Sequence, residues 1–595
     1  MEKSYWMRNR VARRRFLRGA GVIGTGAIGA ALIGCGSDDE ESTSSAPAAP
    51  AAAPAAAPAA ATAAPAAATQ SSIAQGGAAQ LQSSTATAVP QPAENVKRGG
   101  HLRFEISGDP PNYDMHANST YRVNVPLSPV HALLVEFDPL SAVEGPDNVQ
   151  GQLAQSWTVD NNLKVTFDLH SNAKFHNGEP VTSKDVKATF ERIANKDGSI
   201  VSPRQKNYDA VESIETPDDT HVVVNLNRPA PSLFAMMAQG WNTIYSHKDI
   251  ANGMDFKKEI NGAGPMKLDK YERGNRFEMS ANPDYFIEGR PYLAKQTVYV
   301  IPDGSTRFAS FQGGETDIFL MATQADAESM MDIMKDKAVL DGPMPSNGFG
   351  SINFNTSREP WNDNRVRTAV AMAMNRDEAI AVLSKGVGYH GGYFNPNGIW
   401  SAGLDAVQKV PGYKPYSDAL VAEARKLLDA AGVPDGFDAT ILTRQGSTYE
   451  NFSLYILDNA KAIGLNFTPD VQETASAYDR LNTRNFDLAP WRHGYAVDDP
   501  DALFGEFYVT GAARNYSELS SSEVDDLFLK QSTELDVPTR QELAKKMEIA
   551  ALDLYGKIVT DWSAARMVRR SYVKNVVKHP NLYNANRFET AWLDL

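Results

Sequence analysis

From Ser37 to Asn95 the chain is dominated by Ala, Pro, Ser, Thr and Gln, with repeats of the form Ala-Ala-Ala-Pro. Such a stretch cannot bury enough apolar surface to offset its ordering entropy, and its prolines block a continuous helix. Residues 35–97 are therefore predicted to be a disordered, semi-extended tether. All packed structure must lie after it, from Gly99 onward. A chain of 595 residues is still too long for one core, so two or three domains are expected.

The segment before the tether reads as an address. Residues 8–18 are rich in Arg, and residues 19–34 are uncharged and built from Gly, Ala, Ile, Val, Leu and Thr. A basic region followed by a short apolar one is a signal-peptide layout, assigned to residues 1–34. Arg13-Arg14-Arg15-Phe16-Leu17-Arg18 resembles a twin-arginine export signal. Leu32-Ile33-Gly34-Cys35 resembles a bacterial lipobox, which implies cleavage before Cys35 and lipidation of its thiol. Acyl chains on Cys35 would hold the protein to a membrane outside the cytoplasm, in the periplasm or at the cell surface.

Composition removes several function classes. Cys35 is the one cysteine, so neither an internal disulfide nor a Cys-based zinc site is possible. The ten histidines form no close metal-binding pair, and no metal or cofactor is expected. A net charge of −14 argues against a nucleic-acid surface. Beyond the leader no apolar run is long enough to span a membrane. There is no G-x-S-x-G or H-E-x-x-H, and no S-x-x-K placed for nucleophilic work. No catalytic residue is assigned, and a binding protein is expected rather than an enzyme. The two G-x-G-x-x-G matches, Gly24–Gly29 and Gly386–Gly391, lack a preceding strand; the first is a chance match in the leader and the second reads as a loop.

Within the body, Leu102–Ile106, Leu163–Leu169 and His221–Leu226 show strand patterns. Ser183–Arg192 reads as a helix with Thr182 or Ser183 as its N-cap. Helical patterns return over Asn364–Ser384, Asp418–Ala431, Asn451–Ile463 and Asp536–Tyr555, with Leu465–Phe467 strand-like. Helices alternating with strands point to an α/β lobe, and 136–239 to a compact α+β unit.

Five stretches, in order, carry a resemblance. They are Leu153–Trp157 with Val165–Leu169 and Lys174–Val186; Gly262–Pro265 with Asn282–Phe286; Phe311–Asp317; Asn353–Asn355 with Pro360–Ala369; and Ala424–Gly432. Together they resemble the family 5 extracellular solute-binding proteins of ABC transporters, the dipeptide, oligopeptide and nickel-binding group. The resemblance covers 99–595. It implies an α/β fold of two lobes joined by a hinge, with a mixed α+β subdomain on the first lobe. Lobe I would be 99–352, with its extra subdomain at 136–239 and a returning segment at 566–595; lobe II would be 353–565. Asp363, Arg365 and Arg367 read as a helix start, Gly178 as a turn, and His176 as part of that turn rather than a metal ligand.

The resemblance also points to a ligand site. Phe486–Pro500 is similar to the family stretch whose Trp and first Asp line the cleft, the Asp pairing with a peptide's α-ammonium. Ungapped matching puts His493 at the Trp position and Ala496 at the Asp position. The usual amine anchor is then missing, unless Asp498 substitutes from two residues away. Trp491, His493 and Tyr495 are the cleft candidates, with ordinary packing as the alternative; Trp400 and Tyr113 are further candidates. The expected ligand is a peptide or peptide-like solute, with an oligosaccharide or another polar metabolite as the alternative. The expected partners are ABC permease subunits with a cytoplasmic ATPase, the protein itself being a monomer. A ligand-presenting sensor is the other reading of the same fold; an exported hydrolase has no motif to support it.

Overall fold

The computed structural model describes residues 95–595 apart from 142, 143, 145–147, 196, 197, 397, 582 and 585. The leader, Cys35 and the tether up to residue 94 lie outside the described residues.

Two four-stranded sheets and one seven-stranded sheet carry the body. The first sheet runs in the order His101–Ile106, Lys295–Val300, Arg276–Ala281, Met266–Glu272. Its outer pair, His101–Ile106 with Lys295–Val300, is parallel, and this brings residues two hundred positions apart into register. The second sheet is antiparallel throughout: Ala154–Asp160, Lys164–Leu169, His221–Leu226, Val211–Glu215. Helix Ser183–Ile193 packs on it, opened by a capping box between Thr182 and Asp185. The turn before it places Gly178 at φ +90°, where a side chain would be strained. His176 donates its backbone N–H to the Gly262 carbonyl and lies 3.0 Å from the Gly264 carbonyl through Nε2.

The seven-stranded sheet runs Ile318–Phe319, Lys557–Arg570, Ala338–Phe354, Leu488–Gly494, Phe437–Arg444, Leu465–Gln472. Phe437–Arg444 and Leu465–Gln472 are parallel and joined by helix Ser447–Lys461, a βαβ unit. The remaining strand, Gly388–Tyr389, pairs with Ser563 and Trp562, so the expected loop at 386–391 contains a short strand.

Apolar residues gather into two large cores. One unites both four-stranded sheets with Met567, Val573, Val576, Ala591 and Leu593 from the C-terminal end. The other packs helices Asn364–Ala373, Asp418–Ala430 and Ser447–Lys461 against the seven-stranded sheet. The long strands Ala338–Phe354 and Lys557–Arg570 run antiparallel from a small cluster around Phe311 and Val568 into this second core. Their register breaks between Asp341 and Met344 and again between Pro345 and Phe349. Residue 352 lies inside the first of these strands.

The long helix expected over 364–384 is two helices, Asn364–Ala373 and Arg376–Val382. Asn375 is extended between them, and its side chain accepts from the Glu378 N–H to cap the second. A side chain that satisfies free helical N–H groups competes well with continuation of the first helix. Asp363 caps the first helix as expected, while Arg367 turns inward and donates to the Trp361 and Leu554 carbonyls.

Candidate functional site

Trp491 lies on the strand Leu488–Gly494, opposite Ser351. Its ring is 1% exposed. The adjoining parallel strand ends in Arg444, and the next two helices close over that end. Tyr449, on the first turn of Ser447–Lys461, and Tyr478, on Thr474–Asn482, lie 5.4 and 5.0 Å from the Trp491 ring. The Arg444 guanidinium stands among all three rings, 4.0 Å from Tyr449, 5.4 Å from Tyr478 and 5.3 Å from Trp491. Arg444 is 5% exposed, and its Nε and Nη1 have no hydrogen-bond partner.

The other core contributes Arg122, from helix Tyr121–Leu127. Its Nη1 donates to Thr474 Oγ1 at 3.3 Å, and its Nη2 to Ser107 Oγ at 3.4 Å; its Nε is buried without a partner. Gly108 permits this position, since a Cβ there would meet Arg122 Cζ at 2.9 Å. Burial raises the Tyr449 phenol pKa, against the pull of Arg444, Arg122 and Arg492. Thus Arg122, from a helix of the first core, meets a small separate cluster of Leu442, Phe486, Trp491 and Tyr516, flanked by Tyr449 and Tyr478, in a patch rich in aromatic faces and positive charge.

The sequence-derived candidates separate into groups. Trp491 belongs to the Arg444 patch. His493 is buried between Phe507, at 4.9 Å, and Tyr516, at 6.1 Å, with Nε2 3.3 Å from Asn353 Oδ1. Burial, with Lys557 and Arg514 nearby, holds its pKa well below the usual histidine range, so the ring is neutral. Tyr495 and Trp400 meet at Asp498 instead: the Tyr495 hydroxyl donates to Oδ1 at 3.2 Å, and Trp400 Nε1 to the backbone carbonyl at 2.9 Å. Burial, reinforced by Asp499, Glu144 and Glu548, pushes the Asp498 carboxyl up to about 7. Ala496 is 3% exposed, and its carbonyl accepts from Asn581 Nδ2 at 2.9 Å and Asn584 Nδ2 at 2.7 Å. Tyr113 packs on Tyr271 at 5.9 Å and joins none of the others.

Arg444, Arg122, Tyr449 and Tyr478 were not singled out from the sequence. Arg444 carries a weak signal, a cation ending a strand just before Gly446, but its burial depends on helices that follow. A pocket of about 20 Å³, lined by Tyr393, Tyr508, Asn515, Ser517 and Lys557 among others, lies within the second core's surroundings. It has room for a water-sized guest and includes none of the candidates. Among the described residues no group of three or more His, Cys, Asp or Glu could hold a metal ion, and no helix is long and apolar enough to cross a membrane.

Known proteins share this architecture. A putative ABC transporter peptide-binding protein of Brucella ovis is 30% identical over 358 residues, 58% of this chain and 64% of the relative. The match thus spans less than two thirds of that relative's length. The ABC transporter-associated periplasmic binding protein DppA of Helicobacter pylori, solved with the peptide STSA, superposes with a TM-score of 0.73 at 23% identity. That match covers 84% of this chain and 99% of the other. The binding protein AgaA of A. tumefaciens R10, solved with agropinic acid, gives 0.73 at 24% identity, covering 83% and 99%. These likenesses give the fold: α/β, two-lobed, of the periplasmic binding-protein type. The family model for bacterial extracellular solute-binding proteins, family 5, matches residues 148–515, more than half of the sequence, and the chain belongs to that family.

Proposed function

We propose that this protein captures a peptide or peptide-like solute between its two lobes, outside the cytoplasm, and delivers it to an ABC permease. The observation that carries this reading is the meeting of Arg122, from a helix of the first core, with Thr474, Arg444, Tyr449, Tyr478 and Trp491, which gather around a small separate apolar cluster at the end of the seven-stranded sheet. A site whose halves belong to different lobes is completed by closure and dissolved by opening, as capture and release require. The relatives support the ligand class: one carries the name of a peptide-binding protein, and the two solved neighbours hold a peptide and agropinic acid.

On this reading lobe I comprises 99–352 with the returning segment 566–595 and its extra subdomain at 136–239, and lobe II comprises 353–565. The hinge sits at the register breaks of the strand Ala338–Phe354, from Asp341 to Phe349. Trp491 forms the wall of the site, and His493 stands behind it against Tyr516, which packs in the same small cluster as Trp491. The protein is a monomeric, non-catalytic carrier, tethered to the membrane through a lipid on Cys35.

Mass spectrometry of the solute released from purified protein on denaturation tests the ligand class. The expected product is a peptide or an amino-acid conjugate whose re-addition raises the melting temperature. Trp491→Ala is expected to lose that rise while remaining folded. Release of a pure oligosaccharide would replace the peptide reading with a sugar one. The anchor is tested by Cys35→Ser, which should move the protein from the detergent phase to the aqueous phase.

A further inference from the structure

Resting on the two-lobe reading just proposed, we infer that Glu144, in the α+β subdomain of lobe I, is the positioning residue of an interlobe clamp. It sets the amides of Asn581 and Asn584 so that both grip the Ala496 carbonyl of lobe II, and it ties that grip to the hinge at Asn347. Glu144 thereby controls how readily the cleft opens and the solute leaves, without being part of the solute's own contacts.

The clamp is complete atom by atom. Asn581 Nδ2 donates to Glu144 Oε2 and, at 2.9 Å, to the Ala496 carbonyl. Asn584 Nδ2 donates to Glu144 Oε1 at 3.1 Å and to the same carbonyl at 2.7 Å. Each amide nitrogen carries two N–H donors, so each gives one to Glu144 and one to Ala496. The amide oxygens are engaged as well: Asn581 Oδ1 accepts from the Tyr583 N–H at 2.6 Å, and Asn584 Oδ1 from the Gly240 N–H at 2.9 Å. His579 Nδ1 lies 3.1 Å from Glu144 Oε1, and Asn347 Nδ2 donates to Oε2 at 3.4 Å. Four side chains thus converge on one carboxylate that is 2% exposed. A carboxylate offers about four acceptor sites and no donor, which is what this set demands; an amide in its place would turn N–H groups toward N–H groups.

Asn347 joins the clamp to the hinge, since it lies between the register breaks of its strand. Its N–H donates to the Pro580 carbonyl at 3.0 Å, and its carbonyl accepts from the Tyr495 N–H at 3.1 Å. One hinge residue therefore touches the returning segment, lobe II and Glu144. Gly494, paired with Gly348 across the two strands, admits the returning segment: a Cβ there would lie 2.7 Å from Tyr583 Oη. Ala496 and Val497, just beyond the strand Leu488–Gly494, pack in the first core. Separating the lobes has to pull these residues out of that core, and the Ala496 carbonyl is where two buried bonds end on one atom of lobe II.

Spin-label distances in the full chain test this, in a Cys35→Ser background, after unfolding and refolding have stripped any solute. One pair, Ile333→Cys with Leu454→Cys, spans the lobes. A second, Leu163→Cys with Ile333→Cys, stays within lobe I and reports whether the α+β subdomain keeps its seat. All three positions are exposed. E144Q should enlarge the long-distance population of the 333–454 pair by about threefold or more, the effect of losing one or two buried hydrogen bonds. It should leave the 163–333 distances unchanged. N581A, which removes one grip on Ala496 and one donor to Glu144, should act in the same direction. E589Q breaks the buried contacts of Glu589 with Arg290 and Tyr285 inside lobe I; it should lower stability and leave the 333–454 distances as in wild type.

Wild-type 333–454 distances in E144Q would overturn the inference, whatever N581A does. So would a broadened 163–333 pair, since Glu144 would then seat the subdomain rather than the clamp. If E144Q does not fold, N581A decides alone, and wild-type 333–454 distances there overturn the inference. One fixed 333–454 distance in wild type before and after stripping, and in every variant, would sink the two-lobe reading itself. Lengthening on stripping, with E144Q and N581A matching the stripped wild type, would leave that reading intact and remove only the clamp.

Discussion

The Ser232 hydroxyl donates to the buried carboxylate of Asp501, 269 residues further along the chain. Ser232 precedes helix Leu233–Met237 of the first core. Asp501 opens helix Pro500–Phe507, whose Ala502 packs in the first core and whose Leu503, Phe504 and Phe507 pack in the second. The bond therefore joins the α+β unit directly to the element that bridges both cores. Arg540, at 3.5 Å, and Gln531 hold the same carboxylate from the other side.

Ser232→Ala removes that bond and leaves Asp501 with one donor fewer. A hydrogen bond to a buried charged group is worth about 1.5–3 kcal/mol. The variant should unfold at lower denaturant, and its ligand-free radius of gyration by X-ray scattering should rise as the two cores separate more readily. An unchanged scattering profile alongside lowered stability would make the contact a local one, without influence on opening.

Glu105 gives a second, pH-dependent expectation. It is fully buried on the strand His101–Ile106; Oε1 accepts from the Leu320 N–H at 2.9 Å and Oε2 has no partner. Burial pushes its carboxyl up to about 8. In the folded state it stays protonated at neutral pH, whereas in the unfolded chain it ionises near the ordinary glutamate value. Between those two values the unfolded state binds fewer protons, so this group lowers stability as pH rises. Its effect is absent below about 4.5 and reaches its full size, on the order of several kcal/mol, above about 8. Glu105→Gln keeps the shape without the proton. Denaturant titrations should show variant and wild type alike near pH 4 and the variant increasingly more stable toward pH 9. Parallel curves across that range would refute the buried-acid account.

Much of the fold was legible because its signals are local. Thr182 with Asp185, Asp363 before its helix, and Gly432 and Gly464 at φ +76° and +81° mark element ends within a few residues of sequence. The alternation of Leu163–Leu169 and His221–Leu226 marked two paired strands for the same reason. The split at Asn375 was missed because a continuing apolar pattern outweighed one capping side chain. At the site, Trp491 stood out through family resemblance, but Arg444 did not. Its environment depends on Tyr449, Tyr478 and Trp491 meeting from separate elements, and no short-range pattern records that a cation will be buried without a counter-ion. The use of the Ala496 carbonyl by Asn581 and Asn584 is likewise a contact across 85 and 88 residues.

That last clamp depends on a close backbone approach at Gly240. The Gly240 N–H donates to Asn584 Oδ1 at 2.9 Å, and its carbonyl accepts from Asn124 Nδ2 at 2.9 Å. A Cβ on Gly240 would lie 1.9 Å from the Tyr583 carbonyl oxygen. Main chain cannot move aside as a flexible side chain can, so Gly240→Ala must push the returning segment off its seat. The segment carries Asn581 and Asn584, and its displacement frees the Ala496 carbonyl beside the strand that holds Trp491. Overpacking costs about 1–3 kcal/mol where neighbours can relax, and the upper end is expected here. Gly313, where a Cβ would meet nothing within 4 Å, supplies the control: Gly313→Ala should be neutral or gain a few tenths of a kcal/mol. Limited proteolysis should nick Gly240→Ala near residues 579–587 at a rate that Gly313→Ala and wild type do not show. Equal resistance in all three would mean that the first core absorbs the methyl group and that the C-terminal clamp does not depend on this approach.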